Sequence, residues 1–232
     1  MMYSIGLIPP DRHEDIFTFV YQHFCPDEPM GRSLGIGLLP GVGRDVLFNR
    51  YIMAGLEDGL MATDEDGSVV GVRLGKVVRR GEVIGHGQQQ LEDVMKVGPQ
   101  PVEVYGQFVS VMKVLSEVGY NMEDAFDMFD DCNAVYEGLL VGVAAAARGR
   151  GLGAELVRRS MRLAEEKGCQ YTYILATGEY SARVFAKLGF TVAKEHRYAD
   201  IRLDNGEEML KDTREHKTAR IVYKKLEPTN KI

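Results

Sequence analysis

Residue type and spacing point most directly to a chemistry at Arg148-Gly149-Arg150-Gly151-Leu152-Gly153. Glycines let a backbone approach oxygen atoms closely. Where such a run opens a helix, the unpaired N–H groups of the first turn and the helix dipole both favour an anion. Arg148 and Arg150 add guanidinium donors suited to phosphate oxygens. The apolar run from Gly138 to Ala144 reads as a buried strand and Leu152 to Lys167 as a helix, so the turn has the strand-to-helix setting that an anion site needs. A ligand-free turn between strand and helix has the same spacing. A dinucleotide fingerprint fits poorly, because it requires another glycine near Glu155 and a repeated βαβ half, and the sequence has neither.

Other chemistries find less support. His13, His23, His86, His196 and His216 show no HExxH or paired spacing, so no metal is expected. Asp127, Asp130, Asp131 and Glu137 loosely follow a calcium loop, but Cys132 stands where that loop needs glycine, and a solvated acidic helix face reads better. Cys25, Cys132 and Cys169 are odd in number and widely spaced; they fit free thiols in a reducing compartment, which makes the cytoplasm the expected location. The 232 residues are 45% hydrophobic and 27% charged, enough for one domain with a real core. A net charge of -6 gives no electrostatic footprint for nucleic acid. No apolar run is long enough to span a bilayer, and Met1-Met2-Tyr3-Ser4 lacks the pattern of a secretory signal. The expectation is a soluble protein, a monomer by default, with no nucleic-acid or membrane partner.

The elements that must position the turn are set by periodicity. Met2 to Leu7 reads as a first strand, and Ile16, Phe19, Val20, His23 and Phe24 recur at helical spacing up to Pro26. Asp27 to Gly43 shows little periodicity. A helix is expected over Arg44 to Leu56, then a hairpin of Leu60 to Thr63 and Ser68 to Val78 around the acidic turn Asp64-Glu65-Asp66-Gly67. Residues 80–134 read as a helical insert, clearest at Val102 to Leu115 and Met122 to Phe129. Gln170 to Ala176, Phe190 to Tyr198 and Arg220 to Lys225 read as strands, and Ser181 to Leu188 as a helix ended by Gly189. The order β-α-α-β-β-β-α-β-α-β-β predicts a single mixed α/β domain over residues 1–232.

Val143, four residues, and then Arg148 to Ala154 resemble the (Q/R)xxGx(G/A) motif of the GCN5-related N-acetyltransferases, the GNAT superfamily. Tyr180 to Phe190, ending in Leu188-Gly189-Phe190, is similar to a later helix of that family. The resemblance implies a mostly antiparallel central sheet flanked by helices, with the insert between the third and fourth strands, and acetyl-CoA as co-substrate. Carried over, Val141, Gly142 and Val143 would meet the pantetheine arm, and Arg148, Gly149, Arg150, Gly151, Leu152, Gly153 and Ala154 the diphosphate. Ala145 and Ala147 stand where proline and an aromatic are frequent. Phe185 stands where many members carry a tyrosine that protonates the departing thiolate, which phenylalanine cannot do.

Phe24-Cys25-Pro26-Asp27-Glu28-Pro29-Met30, and Tyr180 to Val184 continuing to Tyr198-Ala199-Asp200, further resemble the invertebrate arylalkylamine N-acetyltransferases. An alkylamine is mostly ammonium at neutral pH, so acetyl transfer to it needs a base. The resemblance gives that role to Glu28, and flanking by Phe24 and Met30 would partly desolvate the carboxylate and raise its pKa. Glu137, at the start of the central strand, is the second choice. The resemblance also sets hydroxyl residues near the thioester at Thr177 and Ser181, as a relay or thiolate stabiliser; Ser181 serves equally well as a helix cap. The expected reaction is direct attack in a ternary complex, with the oxyanion held by a backbone N–H near Val143. Phe24, Met30, Leu34, Leu47 and Tyr51 are candidates for an aromatic-amine pocket. The alternatives are an acetyltransferase for polyamines or other small amines and an idle acyl-CoA-binding protein.

Overall fold

Ala134–Val143 forms the middle of a seven-stranded sheet in the computed structural model, which describes residues 3–36, 46–82, 102–129 and 131–227 and, at 46, 47, 102–105 and 108, the backbone alone. The strands are β1 (Ser4–Leu7), β2 (Leu60–Thr63), β3 (Val69–Arg79), β4 (Ala134–Val143), β5 (Tyr171–Ala176), β6 (Thr191–Arg197) and β7 (Thr218–Lys225), in the order β1-β2-β3-β4-β5-β7-β6. Every pairing is antiparallel except β4 with β5. Among the described helices are α1 (His13–Phe19), α2 (Pro29–Leu34), α3 (Val46–Met53), α4 (Val102–Val118), α5 (Met122–Met128), α6 (Leu152–Glu166) and α7 (Glu179–Lys187). A π-helical turn, Val20–Phe24, extends α1. Among the described residues no helix is long and apolar enough to cross a membrane.

Alternation along the strands assigns the faces. Val72 and Leu74 of β3 pack with Ile16, Phe19 and Val20 of the α1 segment and Ile52 of α3. On the other face Leu152 and Leu156 of α6 meet Leu60 and Ala62 of β2, while Val157 of α6 and Phe185 of α7 meet Ile174 and Ala176 of β5. The buried stripe Leu152, Leu156, Val157, Ser160 and Ala164 has helical period, which is why this stretch folds as a helix and lies flat on the sheet. Helices α4 and α5 cover β5 and β7 through Val114, Val118, Met122 and Phe126. Arg80 ties the insert down by donating to the carbonyls of Phe126, Phe129 and Cys132 at 2.8, 3.3 and 2.9 Å, which satisfies the end of α5.

Two expectations need correction. The segment after Asp27 contains a helix, α2, that is too short to show periodicity. The central strand begins at Ala134 instead of Gly138, so Glu137 lies inside it, opposite Lys76 on β3 and Tyr173 on β5.

The pairing of β4 opens a gap in the sheet. With β3 it stays paired as far as Gly71↔Val143, but Leu74↔Leu140 is followed by Gly75↔Gly138, which leaves Leu139 outside the register. This bulge turns Leu139 and Leu140 onto the same α1-side cluster. With β5 the pairing runs only from Val135↔Tyr171 to Gly138↔Ile174, although both strands continue. Two parallel strands thus diverge from Gly138 into a wedge, with the start of α6 beyond its wide end.

Candidate active site

At the wide end, Gly149 and Gly151 adopt left-handed φ values of 76° and 80°, a conformation that a Cβ disfavours, and no side chain caps α6 at Gly151. Alternating left-handed glycines before a helix turn successive N–H groups to one side, the form of an anion cradle. Leu152 is buried, Ala154 half-buried, and Gly153 lies against Val143, where a Cβ would be 3.6 Å from its Cγ2. Arg148 is engaged elsewhere than expected: Nε donates to the Val143 carbonyl at 2.9 Å and Nη2 to Asp27 at 2.6 Å. Arg150 reaches the Tyr3 hydroxyl at 3.4 Å. The backbone of the turn is therefore the part of it shaped for phosphate. Val141 packs against the cluster under α6 and α7, and Gly142 lies beneath Phe19 and Phe24, where a Cβ would be 3.2 Å from the Phe19 ring. A cradle for a diphosphate opening onto an unpaired strand edge fits the shape and chemistry of coenzyme A.

Asp27, which holds Arg148 and also accepts from Arg214 at 3.3 Å, is followed directly by Glu28. Glu28 is the N-cap of α2, with Pro29 in the first turn and Gly35 closing the helix at φ 72°. Its Oε1 accepts from Met30 N–H at 3.2 Å and its Oε2 from Gly31 N–H. Burial raises its pKa above the ordinary value, while the Gly31 N–H, the Thr177 hydroxyl, the Met30 N–H and the nearby His216 pull the other way. The structure therefore brings Glu28 and Thr177 together, across the chain. Tyr198 fixes Thr177 by donating to its carbonyl at 2.5 Å.

Ser181 sits one turn into α7, whose N-cap is Gly178, and its Oγ donates to the Gly178 carbonyl at 2.9 Å. It is not the cap. His216, which nothing in the sequence marked, is buried in the segment before β7. Its Nδ1 accepts from the Glu179 N–H at 3.1 Å, and its ring stands edge-on to Tyr180 at 5.4 Å.

The second carboxylate, Glu137, is buried but occupied: Tyr120 donates to Oε1 at 3.0 Å and Lys76 pairs with Oε2 at 3.2 Å. Tyr51 lies within electrostatic reach of both carboxylates; the residue is 40% exposed, but its hydroxyl is desolvated, which together with Glu137 and Glu28 raises its pKa, and that hydroxyl donates at 2.6 Å to Leu139, the bulge residue. Tyr51 stacks on Phe48, which stands edge-on to Tyr21. Of the other pocket candidates, Phe24 is half-buried above Gly142, and Met30 and Leu34 belong to the core under α4. The side chain of Leu47 lies outside the described residues.

The model of the acetyltransferase (GNAT) family matches residues 55–190. Among solved structures, arylalkylamine N-acetyltransferase 2 from Aedes aegypti superposes with a TM-score of 0.83 at 26% identity, over 98% of this chain and 100% of that one. A Drosophila melanogaster polyamine N-acetyltransferase, which catalyses the formation of N-acetylagmatine, gives 0.74 at 20% identity over 97% and 100%. An agmatine N-acetyltransferase gives 0.76 at 18% identity over 97% and 100%. The last two, at such identities, speak to the fold alone.

Proposed function

This chain belongs to the acetyltransferase (GNAT) family, and on that premise we propose that it moves an acetyl group from acetyl-CoA to the primary amine of an arylalkylamine, with Glu28 as the base. The observation that carries this reading is the setting of Glu28. It is a carboxylate whose pKa burial raises, held by two backbone N–H groups and the Thr177 hydroxyl, and joined through Asp27 and Arg148 to the phosphate turn.

Acetyl-CoA supplies the activated acetyl group, with its diphosphate on the backbone of Gly149 to Ala154 and its arm along Val141 to Val143. Glu28 takes the proton of the ammonium, directly or through a water, so that neutral nitrogen is presented to the wedge. Its ionised form is preserved by the donors around it, and its burial raises its basicity; the balance makes it a stronger base than a surface carboxylate. N–H groups on the free edge of β4 between Leu139 and Val143 are placed to hold a developing oxyanion without moving. Thr177 and Ser181 line the other side, and His216 orders the start of α7 beside them.

An aromatic amine suits the site better than a polyamine. Glu137 is already paired with Lys76 and capped by Tyr120, so among the described residues near Tyr51 only Glu28 remains for an ammonium group. Among the described residues near Tyr51 a second amino group would find no further carboxylate, whereas Phe48, Tyr51 and Tyr21 offer rings. The similarity to the mosquito arylalkylamine enzyme supports the same choice. The test is coenzyme A release with tyramine, dopamine, octopamine, serotonin, agmatine and spermidine. Turnover should be confined to the aromatic set, and turnover with agmatine or spermidine alone would move the assignment to polyamines. Glu28→Gln should bind acetyl-CoA as wild type does and lose about a hundredfold or more in kcat; unchanged turnover would remove Glu28 as the base, and no turnover by wild type on any amine would favour a binding protein.

A further inference from the structure

Arg73, on β3, is fully buried, and among the described residues no carboxylate pairs with it. Its Nε reaches Ser160 Oγ and its Nη1 the Leu140 carbonyl, both at a long 3.4 Å, and among the described residues Nη2 has no hydrogen-bond partner. The rings of Tyr136 and Phe185 lie 5.8 and 6.0 Å from its Cζ. Removing a guanidinium from water costs far more than two long hydrogen bonds and two rings return, so a buried arginine of this kind is completed by a negative charge.

Its position tells which charge. A Cβ on Gly138 would fall 2.1 Å from Nη2 and 2.7 Å from Nη1, so the guanidinium lies directly against Gly138, in space that glycine leaves free. Gly138↔Ile174 is the last rung between β4 and β5. The cation therefore sits at the vertex of the wedge, on the face of α6 and α7, opposite Glu137 and Tyr120. The phosphate turn is at the wide end, so an arm laid along the wedge brings its far end, the thiol, to the vertex. The other groups in contact with the guanidinium cannot serve the sulfur. Tyr136 is committed to the Asp58 carbonyl at 3.0 Å, Ser160 to the Val157 carbonyl at 2.9 Å, and Phe185 has no donor.

We propose that Arg73 is the sulfur-side catalytic residue, its free Nη2–H bonding the coenzyme A sulfur and holding it as thiolate when the C–S bond breaks. The proposal rests on the acetyl-CoA reading of the site. The ammonium gives one proton to Glu28, which passes it to water, and the nitrogen pair then forms the C–N bond. Glu28 takes the second nitrogen proton as the C–S bond breaks with its pair left on sulfur. The guanidinium keeps its protons throughout, and the sulfur takes one from solvent on release.

The test needs no turnover. Calorimetry would compare wild-type binding of coenzyme A with that of S-methyl-coenzyme A at about pH 7.5 and about pH 9.5. The thiol of coenzyme A is a simple alkyl thiol, which loses its proton about one unit above a cysteine's roughly 8.5; if binding lowers it by about one unit, coenzyme A should gain roughly fivefold over its thioether across that interval. Arg73→Met should abolish the gain and leave thioether binding in place. A flat ratio in wild type, or a gain that survives in Arg73→Met, overturns the role of Arg73 while acetyl-CoA binding stands. Failure of wild type to bind either ligand overturns the acetyl-CoA reading itself. Should Arg73→Met not fold, nitrogen-15 spectra of the slowly exchanging arginine side chain in wild type decide: with coenzyme A bound the signal should change between about pH 7.5 and about pH 9.5, with the thioether bound it should not, and a pH-dependent change with both or with neither overturns the proposal.

Discussion

A methyl group at Gly31 would stand 3.0 Å from Glu28 Oε2, so this glycine is what lets the carboxylate fold back over its own helix. Gly31→Ala should displace the base and lower kcat by up to about a hundredfold, with acetyl-CoA binding kept; steady-state kinetics beside calorimetry would check it. The pH profile is a second reading of the same residue. Burial raises Glu28, and the base works only when ionised, so activity should fall as pH drops through a value above the ordinary 4.5. A kcat/KM profile whose acid limb lies at or below that value would contradict it. Glu28 could be reached from sequence because a short motif surrounds it. His216 and Arg73 could not. His216 is a lone histidine in an irregular segment, brought to α7 by the return of the chain into β7. Arg73 reads as one polar residue in an apolar strand, and its burial depends on a glycine 65 positions later.

At the scale of elements, the phosphate turn depends on two backbones that only glycine adopts freely. Gly151→Ala should cost about 1–2 kcal/mol in stability through its left-handed φ, and it should raise the KM for acetyl-CoA far more than it changes kcat; thermal melts and substrate titrations at fixed amine would separate the two. This turn and the helix after it were legible because glycine spacing and helical period adjoin. α2 escaped because it holds only six residues, too few to show a period, though its boundary signals Glu28, Pro29 and Gly35 were all present. The early part of β4 was hidden by Glu137, a charge that interrupts the apolar run and is tolerated inside because Lys76 faces it across the ladder. The wedge had no local signal at all, since it arises where two strands distant in sequence stop pairing.

For the whole molecule, the mixed α/β class, the hairpin, the closing strands and the two described helices of the expected insert could be read from periodicity, while residues 83–101 of that insert lie outside the described residues; the sheet order, with β7 between β5 and β6, came only from the structure. If acetyl-CoA occupies the native wedge and not the unfolded chain, it should stabilise the protein by about 2.7 kcal/mol at a hundred times its Kd. For a chain of this size that is roughly 5–10 °C in Tm, readable by calorimetric melting, and no shift would contradict the wedge as its site. The contact between Gly138 and Arg73 reaches beyond any single molecule. Two positions far apart in the gene share one volume, so descent can alter them only in order: a lineage may shorten the arginine and afterwards gain a side chain at 138, but the reverse path passes through a protein with two groups in one place. Relatives that keep the arginine should keep the glycine, and those that have lost the arginine should be free at both.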